Sequence, residues 1–197
     1  MIHPNTELKF ISEDIGYGVV ATEFMPVGTI TWILDKLDRE FTPETFNAMD
    51  PIYKSILDMY SYRNNKGNFI LCWDNGRFVN HSFKSNCLTT AYDFEIAIRD
   101  IQPGEQLTDD YGYLNITEPF EPVDEGTDRK VVYPDDLVNF HKTWDTQLKK
   151  VFNKIVDYNQ PLKDLIKHEL WQKIERIANG KEAMDSIFHN YYNEKSL

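Results

Sequence analysis

The chain has 197 residues, 41% of them hydrophobic and 14% aromatic, which suffices for one filled core with an appendage and excludes disordered and fibrous classes. Thirty-two acids against twenty-one bases give a formal charge of −11, the wrong sign for displacing counterions from phosphate, so no direct nucleic-acid binding is expected. A basic protein or peptide suits that surface as a partner.

No apolar run approaches the roughly 20 residues of a membrane span. The opening MIHPNTELKF lacks a basic stretch followed by an apolar one. The expectation is a cytoplasmic protein with no membrane partner, nuclear in a eukaryote; nothing in the sequence sets an oligomeric state. Cys72 and Cys87 are too few for a disulfide framework or a structural zinc site and read as small buried hydrophobes.

In chain order, LKFISEDIGYGVVATEF reads as strands broken at Gly16-Tyr17-Gly18, with a turn at Pro26-Val27-Gly28 and a strand over 29–35. Thr42-Pro43 and Asp50-Pro51 each carry a helix-start signature, the second before IYKSILDMY. NFILCW (68–73) and GRFVN (76–80) read as a hairpin about Asp74-Asn75-Gly76. DFEIAIRDI (93–101) alternates as a strand and meets Pro103-Gly104.

Beyond Pro134 the period becomes helical. Leu137, Phe140, Trp144, Leu148, Val151, Phe152 and Ile155 form one stripe behind Asp135, a cap candidate. A second helix is predicted from Pro161 to the stop at Asn179-Gly180, and a last one through Met184, Ile187, Phe188 and Tyr191. These stripes are expected to dock on the sheets, since three such helices have little core of their own. The organisation is thus 1–115 strand-rich, 116–134 a proline-bearing linker, and 135–197 a helical C-terminal extension.

Taken singly, the polar segments give weak chemistry. Ser82 and His81 are neighbours that point to opposite faces if extended, so they make no nucleophile pair, and Asp109 and Asp110 diverge in the same way. The five histidines show no compact ligand spacing, so no metal is expected. Gly16-x-Gly18 lacks the third glycine and the helix of a dinucleotide fingerprint.

Taken together, three segments in order are distinctive. Gly16, Gly18, Ala21 and Gly28 open the pattern; Arg77, Phe78, Asn80, His81, Ser82, Asn86 and Cys87 continue it; Gly104, Glu105, Leu107, Thr108, Asp110, Tyr111 and Gly112 close it. Over residues 8–115 the chain resembles the SET-domain protein-lysine methyltransferases. The resemblance implies a mainly β fold of small curled sheets, in which the LTDDYG segment threads beside the Asn-His-Ser strand as a pseudoknot. It implies S-adenosyl-L-methionine as methyl donor, contacted by Gly16, Tyr17, Gly18, Asn80 and His81, with Arg77 as a further contact. It implies Tyr111 as the catalytic tyrosine.

Methyl transfer to lysine needs donor and amine in line, so positioning supplies much of the acceleration, up to about 7–11 kcal/mol. The amine must also shed a proton from an ordinary pKa of about 10.4. Two departures from the family pattern stand out. Phe83 replaces a zinc-binding cysteine and no cysteine follows the domain, so the helical back is expected to roof the site instead. Asp109 stands where the family carries an aromatic; as a carboxylate it either enters the substrate channel, pairing with the lysine ammonium and opposing its deprotonation, or points to solvent. The alternative reading of these residues is a non-catalytic module holding a basic peptide or the cofactor on the same fold.

Overall fold

The computed structural model describes residues 1–193. Strand β1 (Thr6–Ser12) pairs antiparallel with β2 (Gly16–Ala21), and the Gly16-Tyr17-Gly18 break is the end of that hairpin. β3 (Ile30–Ile33) follows, then β4 (Arg39–Phe41) and the helices α1 (Pro43–Asn47) and α2 (Pro51–Tyr60). Thr42 caps α1 by accepting from the Thr45 amide at 3.2 Å, while Asp50 makes no side-chain cap to α2. β5 (Ser61–Arg63) and β4 flank β6 (Phe69–Leu71) in one antiparallel sheet. β7 (Asn80–His81), β8 (Cys87–Thr89), β9 (Phe94–Ala97) and β10 (Thr108–Asp109) complete the strands, and a sheet in the order β3-β9-β8 lies at the centre.

All four residues of β3 and of β9 are buried, so both faces of this sheet are covered and its strands read as continuous runs. Val19, Met25, Ile101 and Leu107 cover one face, against Trp32, Cys87 and Ala97, and the C-terminal part covers the other. Helix α3 (Asp136–Val151) and helix α4 (His168–Ala178) bring Trp144, Leu148, Phe152, Ile155 and Ile174 into one cluster with Ile30, Leu88, Phe94 and Ile96. The helices therefore dock on the sheets, as their stripes predicted. Two devices fix the joint. Gly28, at φ +89°, lies so close to the chain at Lys154 that a Cβ there would stand 2.6 Å from the Lys154 Cβ. Buried Gln160 accepts from the Ile30 amide at 2.9 Å and donates to the carbonyls of Gly28 (3.0 Å) and Ile155 (2.9 Å).

Helical residues outnumber those in strands, so the architecture is a mixed α+β one built on small sheets. Four local expectations are corrected. Residues 75–78 form a 3-10 turn, not a strand, because the Asp74 carboxylate accepts from the Gly76 amide at 2.9 Å and also from Ile2 at 2.7 Å. Asp135 makes no side-chain cap; its neighbour Asp136 instead accepts from the Tyr133 amide at 3.0 Å. The helix expected from Pro161 begins only at His168, preceded by a 3-10 turn at 163–165. The last helix is a single 3-10 turn over 187–190, capped by Ser186.

Candidate active site

The site grows from a two-residue parallel pairing. β7 lies beside β10 with Asn80 opposite Thr108 and His81 opposite Asp109, and the Ser82 amide donates to the Asp109 carbonyl at 2.8 Å. Parallel strands this short are held by side chains. Asn86 accepts from the Thr108 amide at 2.9 Å and donates to the Gln106 carbonyl at 2.8 Å. Polar residues interrupt the apolar run at 80–82 because they lie at this crossing, where backbone groups from three segments need partners.

The Gly16–Gly18 hairpin end is tied to the same place. The Asn80 amide nitrogen donates to the Tyr17 carbonyl at 2.9 Å and to Gln106 Oε1 at 3.0 Å. A Cβ on Gly18 would stand 2.0 Å from Gln106 Oε1 and 2.8 Å from Asn80 Nδ2, so the approach requires glycine.

On the other side of the crossing, the Tyr111 amide donates to His81 Nδ1 at 3.1 Å. That assigns the imidazole hydrogen to Nε2, which is buried without a partner. Burial lowers the His81 pKa to about 4; Glu125 opposes this and Arg129 adds to it, so the ring is neutral at physiological pH. The Tyr111 hydroxyl donates to the Val79 carbonyl at 2.8 Å. Burial pushes the phenol pKa up, with the charge of Asp109 acting in the same direction, so Tyr111 also stays neutral. Its hydrogen is committed to Val79, which leaves the oxygen lone pairs for a ligand.

Tyr111 lines a cavity of about 480 Å³ together with Trp32, Tyr62, Val79, Glu95 and Asp109. Asp109 therefore does not point to solvent. It is 5% exposed, and Glu95 of β9 is 7% exposed. Burial raises the Asp109 pKa to about 6, against the lowering effect of hydrogen bonds from Tyr113 and Glu95. Burial and the neighbouring Asp109 raise that of Glu95 well above its ordinary value. Arg77 is on the cavity wall, where its guanidinium donates to the carbonyls of Cys72 (3.4 Å) and Trp73 (3.2 Å).

The linker packs on the His81 and Tyr111 side of the crossing, while His189 and Asn190 of the C-terminal part line the cavity itself. Phe120 packs 5.8 Å from the rings of both His81 and Tyr111 and pairs its backbone with Val132. Glu125 accepts from the Ser82 hydroxyl at 2.6 Å and the Phe83 amide at 2.8 Å. Arg129 pairs with Asp110 and, at 2.6 Å, with Asp136 at the start of α3; its guanidinium lies 4.5 Å over Phe83 and 4.4 Å over Phe140. Helix α3 thus anchors the linker through Asp136.

Sequence reasoning missed Glu95, Phe120, Glu125 and Arg129. Alternation in DFEIAIRDI set Glu95 on the face of Asp93 and Arg99, which read as solvent; the small Ala97 on that face was the available sign of burial. The three linker residues carried no signal, since their partners lie mostly in other segments, Ser82 and Phe83 for Glu125, His81 and Tyr111 for Phe120, Asp110 and Asp136 for Arg129.

Residues 16–112 match the family model described as SET domain. No curated protein matches the chain. The matched span begins at the hairpin glycine and ends one residue past Tyr111, so it encloses the whole crossing, and the chain belongs to the SET-domain family.

Proposed function

We propose that the chain transfers methyl groups from S-adenosyl-L-methionine to a lysine side chain of a protein. The observation that carries this reading is the convergence just described. The hairpin glycines, Asn80-His81 and Tyr111 are far apart in sequence yet joined by direct hydrogen bonds, with a cavity opening beside the tyrosine.

The residues present fit the donor. Both hydrogens on the Asn80 amide nitrogen are turned to Tyr17 and Gln106, so its oxygen is the group left to accept from an amino-acid ammonium. The buried His81 Nε2–H lacks a partner and is available to donate, and Gly18 brings the main chain close without a side chain. When bound, the cofactor supplies a methyl on a sulfonium, an electrophile that needs no further activation. The protein's work is then orientation and exclusion of water. Tyr111, fixed through its amide to His81 and its hydroxyl to Val79, presents lone pairs that can orient an amine N–H. Phe120 covers that tyrosine and keeps water from it.

In this reading 1–115 is the catalytic body, 116–134 a cover on its His81 and Tyr111 side, and the helices after 135 its buttress. The substrate is a basic segment of a protein, attracted by the acidic surface, and the compartment is the cytoplasm. Incubating the protein with methyl-labelled cofactor and an extract of its source, then mapping labelled residues, tests the assignment. Label on lysines that falls about a hundredfold or more for Tyr111→Phe supports it. Absence of cofactor uptake by calorimetry overturns it. Uptake of a basic peptide without any methyl incorporation establishes the non-catalytic module instead.

A further inference from the structure

Glu95 and Asp109 are acids set into strands that are otherwise sealed from solvent. They come from different strands, β9 and β10, yet interact directly, and both border the cavity that Tyr111 borders. Among the described residues neither takes part in an ion pair. Arg129, which pairs with the adjacent Asp110, is occupied by that residue and by Asp136. Asp109 Oδ1 has no donor at all, although the residue is 5% exposed. A pair built only for packing would close on itself, because a buried carboxylate with an open acceptor is costly. This one leaves an acceptor at the edge of a cavity whose wall also holds the aromatic Trp32 and Tyr62 and charges of both signs, with the basic Arg63, Lys66 and Arg77 outnumbered by acids.

We propose that Asp109, bridged to Glu95 by a shared proton at the floor of the cavity, receives the ammonium of the incoming lysine and accepts the proton it must lose. The assignment of the cation as a substrate lysine rests on the methyl-transfer reading. Glu95 keeps its proton and donates it to Asp109, so the pair carries one negative charge. The ammonium N–H bond breaks and its electron pair stays on nitrogen. An O–H bond forms on Asp109. The nitrogen pair then makes the N–CH3 bond as the C–S bond breaks onto sulfur, and the proton on Asp109 afterwards leaves to water through the cavity mouth. A base titrating a little below neutral pH is suited to this step, being ionised yet not inert. The groups facing the pair are Tyr113, which hydrogen-bonds to Asp109, Asp110 and Tyr111 beside it, Cys87 from β8, Tyr62 from β5 and the N-terminal ammonium. The first five are neutral or anionic and raise rather than quench the demand for a cation; the terminal ammonium acts at longer range and is itself held by Asp35.

The test uses n-butylammonium as a probe of the cavity, followed by NMR on the whole chain without cofactor. Wild type binds the probe, binding at pH 5 releases a proton that binding at pH 8 does not, Glu95→Gln keeps the affinity, and Asp109→Asn weakens it by about tenfold or more. Proton release is read on the wild type alone, so it stands even if a variant does not fold. In turnover with cofactor, Asp109→Asn loses activity at neutral pH and regains it at alkaline pH, where the amine sheds its proton unaided; a merely structural defect gives no such recovery. Equal probe affinity in wild type and Asp109→Asn, or no proton release at pH 5, overturns the proposal. Lysine labelling that persists unchanged in Asp109→Asn at neutral pH overturns it while leaving methyl transfer intact. Probe binding at Asp109 in a protein that takes up no S-adenosyl-L-methionine ends the methyl-transfer reading and the lysine assignment but keeps the cation site.

Discussion

Replacing Asp109 by asparagine removes a titrating group whose pKa differs between the folded and unfolded chain. The folded value is pushed up to about 6 from an ordinary 3.8, chiefly by burial. The carboxyl therefore binds its proton more tightly in the folded state. Its contribution is most favourable below about pH 4 and is lost as pH rises through about 6. A shift of roughly two units at about 1.4 kcal/mol each means that ionised Asp109 burdens the fold by about 3 kcal/mol at pH 8. Asparagine escapes this, at the cost of a weaker acceptor for Tyr113, about 1 kcal/mol. Urea unfolding at pH 4 and pH 8 measures the balance. The stability of the variant relative to wild type is expected to improve by about 3 kcal/mol between the lower and the higher pH, with a net gain of about 2 kcal/mol at pH 8. Groups common to both proteins cancel in that comparison. A stability difference equal at the two pH values would refute the argument, since it would mean that Asp109 ionises in the folded protein as readily as in the unfolded chain.

Arg129→Met is expected to destabilise by about 3–5 kcal/mol, because it strands the carboxylates of Asp110 and Asp136, and to increase protease cleavage within 116–134; both are measurable on the purified chain. Gln160→Leu leaves the Ile30 amide and the Gly28 and Ile155 carbonyls without partners and should lower stability by about 3 kcal/mol or more, within a single unfolding transition in urea. Gly18→Ala displaces the ends of Gln106 and Asn80 and crowds Ile11 Cγ1 at 2.9 Å, so the loss of fold stability should be about 1–3 kcal/mol. Donor uptake by calorimetry should nonetheless fall about tenfold or more in that variant, and unchanged uptake would remove Gly18 from the binding site.

What could be read from the chain alone was set by how local the cause was. Leu137, Trp144 and Leu148 lie on one face of α3 because helical period is a property of the segment, and their burial against Leu88 and Phe94 followed. Asn80, His81 and Tyr111 were found because their types and order form a pattern, and they meet as that pattern implied. Arg77 belonged to the same pattern but is drawn to the Cys72 and Trp73 carbonyls by the turn at 75–78. That turn was mistaken for a hairpin because Asp74-Asn75-Gly76 has the same composition in both cases. Glu95 was invisible for a different reason. Alternation marks a face but does not say whether distant segments will cover it; Ala97, on the face of Glu95, packs with Trp32, Cys72, Val79 and Leu107, each from a different segment.

The arginine in the linker serves two masters. One of its carboxylate partners, Asp110, sits between Asp109 and Tyr111 in the chain, while the loop that carries it also holds Phe120 over the phenol. Were the flap to lift for a substrate, Asp110 would surrender its counter-ion in the same motion. The cover over the phenol and the charge balance of the strand beside it thus hang from a single guanidinium, and neither can be disturbed without the other.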